Sequence, residues 1–451
     1  MKKLISILKN KEIMNRILFT ILILFIFRIG AQITVPGVTI DKDSLGNYLE
    51  GNNALSLMNI LGGGTLQTFS IFALGVSPYI TAQIIIQLLS NDVLPALSEL
   101  RRQGQYGRRK IEYATRYLTL MIGAVQAYGI IKTMENSELV SFDAGSMPWL
   151  TYIYVVIVML AGSMTVMWLG DRISVKGIGN GISMIIFAGI VSSLPNQIST
   201  AFATWILNVR GEGDAALIQG SLKFLLYVVS FILIIAFVVF IELSKRKIPV
   251  QHSGKSGGQT QSMARASFLP IKINSAGVIP VIFASSIMTA PSVIVAFVGG
   301  NTNAEWLNIF TSSKMTDMGG WSMPWGLIIY LTLTIAFTFF YSNIQINPEQ
   351  LAENFQKSGS YIPGVKPGNE TERYVRKVLN RVTFLGAISL ALIAALPPVL
   401  TLTVFQSTPS LALGGTGLII VVGVALELNS QIDGLLAGKS FEEVVAAGGQ
   451  G

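Results

Sequence analysis

"ALGVSPYITAQIIIQLL", Ala73–Leu89, decides the fold. It is apolar enough to lie in lipid, yet Gly75, Ser77 and Pro78 cluster at its start, and Thr81, Gln83 and Gln87 follow. A plain membrane helix carries no such set: glycine and proline interrupt the backbone, and polar side chains cost free energy against lipid. Just upstream, "LGGGT" at Leu61–Thr65 interrupts the same apolar run. The run, residues 55–90, is too long for one straight span. It reads as a half-helix, a turn, and a full helix beginning near Val76. Pro78 then falls in a first helical turn, where its missing N–H costs nothing.

The rest of the chain is equally apolar. Hydrophobic residues make up 51% of 451 positions and charged residues 12%, about half the usual soluble share of roughly 25%. Ten hydrophobic segments are readable: 17–34, 55–90, 114–134, 149–170, 180–195, 219–243, 274–297, 324–345, 382–404 and 411–429. Most approach the roughly 20 residues that cross a bilayer; the fifth is short. The basic leader before "ILFTILILFIF" looks like the start of a signal peptide, but no convincing cleavage site follows, so it reads as the first span. The fold class expected is an all-α polytopic membrane protein.

Lysine and arginine placement orients it. With ten spans, 26 of the 32 fall on the side of the N-terminus and five on the other, while Arg28 lies inside the first span. Both termini are therefore expected in the cytoplasm. The net charge of +8 follows from these loops and does not call for nucleic acid.

Two cytoplasmic loops, about 244–273 and 346–381, are long, basic and punctuated by Pro and Gly. They read either as solvated tethers or as a cationic docking surface. Enzyme chemistry is hard to find. The chain has no cysteine, and its one histidine, His252, lies in a loop without a metal-binding partner. "GIGNG", Gly177–Gly181, lacks the lysine of a phosphate loop and reads as a tight turn into the fifth span. No cofactor or metal is expected, and the chain does not read as an enzyme. An ion-coupled secondary transporter with broken helices remains the rival reading. Against it, the spans hold almost no ionisable residues apart from Arg28 and Glu427.

Several stretches together carry a resemblance. "FRIGAQITVPG" (27–37), "FSIFALGVSPYITAQIIIQLL" (69–89), "RYLTLMIGAVQA" (116–127), "GIGNGISMIIFAGIV" (177–191), "LPIKINSAGVIPVIFASSI" (269–287) and "FFYSNIQINPEQLAENFQKSGSYIPGVKPG" (339–368) resemble the bacterial SecY family of protein-translocation channels, in order along the whole chain. That resemblance implies two inverted five-helix halves, 1–200 and 201–451, with a plug at about 55–74. It implies a channel that passes unfolded secretory polypeptides across the cytoplasmic membrane and releases signal or transmembrane helices sideways into lipid. The partners implied are SecE-like and SecG-like membrane subunits, the SecA motor ATPase, a translating ribosome, signal peptides, nascent membrane proteins and the bilayer.

The resemblance also implies site residues. A pore ring falls on Val76, Ile80, Ile182, Ile186, Ile282 and Ile420. The plug takes Leu57, Ile60, Leu61, Gly62, Gly63 and Gly64. A lateral gate carries Thr81, Gln83 and Gln87 opposite Gln126, Ser285, Ser286 and Thr289. Partner docking falls on Lys245, Arg246, Lys247, Lys255, Lys366, Arg373, Arg376 and Lys377. The chain departs from the family in two places: Thr34 replaces a proline in "ITVPG", and Lys366 replaces an arginine in "GVKPG".

Overall fold

The computed structural model describes residues 10–40, 44–45, 48, 55, 58–59, 62–90, 94–136, 139–142, 148–208, 214–252, 267–298, 305–311, 315–318, 321–403 and 414–448. Among them, ten helices account for the ten apolar segments. They are α1 (Lys11–Gly30), α2 (Ser77–Leu89), α4 (Gln105–Asn136), α5 (Pro148–Lys176), α6 (Gly181–Phe202), α7 (Asp214–Leu243), α8 (Ile279–Val298), α9 (Trp325–Gln345), α11 (Asn369–Thr403) and α12 (Gly414–Gly448). Two short helices, α3 (Pro95–Arg102) and α10 (Pro348–Lys357), lie in the connections. Seven of the ten are long and apolar enough to cross a membrane by themselves, and α2 and the apolar part of α8 are shorter. The chain is a multi-pass membrane protein.

Helix starts follow from local chemistry. The side chain of Asn180 accepts from the backbone N–H groups of Ile182 and Ser183, capping α6. Asn347 does the same for Glu349 and Gln350 at α10. "GIGNG" is thus a turn: Gly179 adopts φ +86°, a left-handed conformation open to glycine, directly before the cap. Val76 precedes α2, and Pro78 lies in its first turn, as its sequence predicts. The fifth span is longer than its apolar segment suggests. It runs through Pro195 and continues as a π-helical turn, Ala203–Leu207. Beyond the proline, Ala201 and Trp205 turn inward, and Trp205 meets Tyr227 of α7 edge-on at 5.7 Å. Burial of that face carries the helix past the break.

The two long basic loops hold an unexpected sheet. Strand β3 (Lys245–His252) pairs antiparallel with β4 (Ser267–Lys272), from Lys245 opposite Lys272 to Val250 opposite Ser267. Its far end pairs with β7 (Ser360–Tyr361), Gln251 opposite Tyr361 and His252 opposite Ser360. The two long loops are therefore one body. Its inner face buries Ile248 and Ile271 with Ile362, Val375 and Leu379, so the sheet rests on the first turns of α11. Elsewhere, β1 (Val38–Ile40) pairs with β2 (Val140–Phe142), and β5 (Thr316–Met318) with β6 (Trp321–Met323).

Truncating Ile248 to Ala removes a buried anchor, with an expected cost of about 2–4 kcal/mol for docking of the hairpin. The expected outcome is faster protease cleavage between residues 244 and 272 while the membrane-embedded helices remain intact; unchanged cleavage would contradict this packing.

Candidate functional site

The centre of the molecule is an apolar knot. It gathers Ile23 and Phe27 of α1, Phe72 and Val76 before α2, Ile80 and Ile84 of α2, and Ile185, Ile186 and Ile190 of α6. Ile282 and Phe283 of α8, Ile420 and Val424 of α12, and Val166, Leu169 and Ile173 of α5 belong to it as well. All six residues expected in the ring lie here: Val76, Ile80, Ile186, Ile282 and Ile420 are buried, and Ile182 packs on the cluster half-buried. They come from α2 and its cap, α6, α8 and α12, so one knot joins both ends of the sequence. Five are β-branched isoleucines, stiff at χ1, and the sixth is valine. Such side chains seal a narrow passage without offering a hydrogen bond.

The segment leading into α2 is not helical, and its backbone groups must find partners elsewhere. They do so in turns of their own, on the residues that follow α1 and on α5. Val35 N–H donates to the carbonyl of Phe69 at 3.1 Å, and Ile71 N–H to that of Ile33 at 2.9 Å. The Thr68 hydroxyl donates to Ala31 O, and the Ser163 hydroxyl to Gly75 O. Phe27 and Phe72 stack at 5.9 Å. Gly62 and Gly64 flank Gly63, whose φ is +76°. A Cβ on Gly63 would stand 2.6 Å from the Cα of Gly189 in α6, so the two backbones touch. Of the expected plug positions, Leu57, Ile60 and Leu61 lie outside the described residues.

The segment leading into α2 also holds strain. Phe69, fully buried, sits at φ +42°, which costs a bulky residue about 1–3 kcal/mol. The buried hydroxyls of Thr65 and Ser70 have no hydrogen-bond partner among the described residues.

The polar residues expected across the gate behave differently from the sequence reading. Their hydroxyls turn back onto their own helices: Thr81 to Ser77 O, Ser285 and Ser286 to Ile282 O, and Thr289 to Ser286 O. Serine and threonine satisfy themselves this way in apolar surroundings. Gln126 is buried with its Oε1 unpartnered among the described residues, Gln83 is exposed, and Gln87 reaches the Tyr341 hydroxyl of α9. Helix α8 packs mainly on α4 and α9, and only lightly on α2.

The basic residues expected to dock partners are solvent-facing. Lys245, Arg246, Lys247, Lys366, Arg373, Arg376 and Lys377 are all exposed; Lys255 lies outside the described residues. Lys366 stands in a fixed turn. Gly364 and Gly368 take φ of +82° and +96°, and the Thr371 hydroxyl donates to Lys366 O at 2.9 Å. Residue types alone do not reveal the strand that aligns Lys245 and Lys247, but the inward alternation of Ile248 and Val250 is a legible signal.

The Gly63–Gly189 contact leaves no room for a side chain. Gly189→Val is expected to destabilise the protein by about 1–3 kcal/mol through overpacking. The measurement is thermal unfolding in detergent, and an unshifted transition would show that the two backbones do not meet.

A profile of the SecY family matches residues 70–429. The protein translocase subunit SecY of Mycoplasma capricolum is 42% identical over 443 residues, covering 96% of this chain and 89% of that protein. The Bacillus subtilis subunit of the same name is 40% identical, covering 98% of both. In three dimensions the chain matches a structure described as a protein conducting channel with a TM-score of 0.63 at 19% identity, covering 94% of this chain and 93% of that one. It matches Sec61 in a canine ribosome–channel complex with a TM-score of 0.60 at 18% identity, covering 94% and 93%. None of these supports an ion-coupled transporter. A broken second span, an apolar knot drawn from both ends of the sequence and this full-length similarity have one explanation: the chain belongs to the SecY family of protein translocase subunits.

Proposed function

We propose that this translocation channel works by an apolar ring, a plug and a lateral gate, in the cytoplasmic membrane with both termini in the cytoplasm. Convergence of the six ring positions in one buried cluster is the observation that carries the reading. Closed, the ring excludes water and ions; open, it slides on any polypeptide because it makes no specific bonds. The strained loop 62–76 serves as the return arm of the plug. Helix α2, thirteen residues and about 20 Å long, forms one lip of the gate with α4, and α8 forms the other.

Energetics separate two tasks. A signal helix with about ten Leu, Ile, Phe or Val residues gains roughly 3–6 kcal/mol on entering the bilayer. That matches a conformational gap of a few kcal/mol, so the substrate helix itself biases the gate. Drawing a polar chain through needs an outside source of work. The exposed cations on β3 and α11 support docking of a SecA-like motor or a ribosome, and the lipid-facing helices support SecE-like and SecG-like subunits. Two matched structures are described as ribosome complexes, which supports the ribosome as a docking partner.

The test is leak. Ile282→Asn or Ile420→Asn should wet the ring, raising resting conductance in planar bilayers about tenfold or more and loosening selection of signal sequences; unchanged conductance for both would remove these residues from the pore.

Docking is tested separately. Lys366→Arg should preserve or improve motor-driven transport, since the guanidinium fork grips carboxylates in two places. Lys366→Glu should abolish most SecA-dependent transport into proteoliposomes without shifting thermal unfolding. Full transport by the folded Glu variant would place docking elsewhere, at Lys245–Lys247 or Arg373–Lys377.

A further inference from the structure

Arg28 is the one charged residue inside the first span, and the ring and gate do not use it. It sits half-buried in the last turn of α1. None of the ion pairs among the described residues includes it. Its Nη1 instead donates to the carbonyl of Gly63, 35 positions along the chain, at 2.7 Å. A half-buried guanidinium in a membrane protein needs a partner, and here that partner is a backbone carbonyl of the return arm.

The acceptor is positioned with care. Gly63 adopts φ +76°, and its Cα rests on Gly189. A side chain at Gly63 would collide with α6 and shift the carbonyl away from Arg28. The arm that follows closes several backbone turns of its own but carries strain: Phe69 is in the left-handed region, and Thr65 and Ser70 bury hydroxyls without partners among the described residues. An arm under strain stays in place only if its anchors outweigh the strain. Its other anchors, on Ala31, Ile33, Val35 and Ser163, lie further along, between Thr68 and Gly75. Arg28 holds the glycine end.

We propose that Arg28 is the positioning residue that latches the plug shut. The proposal rests on reading the segment 55–74 as a plug. In the closed, dry state a charge-assisted bond to Gly63 is strong, because little competes for either partner. Once water enters, it solvates both the guanidinium and the freed carbonyl, and the same bond is worth little. Unlatching and wetting therefore favour each other, and release becomes all-or-none. A bare charge bracing α1 would show no such coupling.

Resting conductance of the purified channel in planar bilayers tests this, with four forms beside the parent: Arg28→Ala, Arg28→Lys, deletion of residues 57–67, and that deletion combined with Arg28→Ala. Arg28→Ala should raise resting conductance about tenfold, and Arg28→Lys, which keeps one donor, should fall between it and the parent. The deletion should leak, and adding Arg28→Ala to it should change nothing further. A sealed Arg28→Ala beside a leaking deletion overturns the latch and leaves the plug reading standing. A sealed deletion overturns the plug reading, and the latch with it. Extra leak in the combined form shows Arg28 acting on the ring directly and also overturns the latch. If Arg28→Ala fails to fold, Arg28→Lys decides: parental conductance from a folded Arg28→Lys beside a leaking deletion overturns the latch.

Discussion

Membrane interiors supply no water to an unpaired peptide group, so every N–H and C=O at that depth must find a partner in the protein. A helix meets this requirement within itself. The second apolar segment does not, because "LGGGT" and "LGVSP" break it twice. The structure around it is arranged to receive the groups it leaves open. The residues after α1 offer Ala31 O, Ile33 O and Val35 N–H, and α5 offers the Ser163 hydroxyl, while Gly189 of α6 leaves room for the backbone to approach. A break that looks like a defect in the sequence is thus absorbed by partners that the neighbouring segments supply.

Much of this was legible from residues alone. The start of α2 at Ser77 follows from Gly75 and Pro78, and the turn into α6 follows from Gly179 and Asn180, because such signals act within a few residues. Period and apolar length located the ten segments for the same reason. What escaped reading depends on distant partners. Pairing of Gln251 with Tyr361 joins positions 110 apart, and a two-residue strand has no period of its own. The fifth helix passes Pro195 because Trp205 finds Tyr227, a contact no local rule contains.

The candidate site divides along the same line. Ring residues were identified through family resemblance, and the fold brings them together; composition alone would have left each isoleucine as ordinary core. The gate hydroxyls show the limit of reasoning from polarity. Thr81, Ser285 and Thr289 looked like partners across a seam, yet each is satisfied by a carbonyl one turn back on its own helix. The amides of Gln83, Gln87 and Gln126 do not turn back in this way: Gln83 is exposed, Gln87 reaches the Tyr341 hydroxyl, and Gln126 is buried with its Oε1 unpartnered among the described residues.

The small sheet formed by the two long loops has a mechanical meaning. Strand β4 ends at Lys272 and α8 begins at Ile279, with a connection held at several points: Ile273 N–H bonds to Ser244 O, the Ser275 hydroxyl to Lys272 O, and the Asn274 amide to Gly277 O. Gly386 of α11 lies directly against Ile273. Such a joint behaves as a crank and not as a hinge. A push on either loop turns β3, β4 and β7 as one piece, and the torque arrives at the foot of α8, at the edge of the apolar knot.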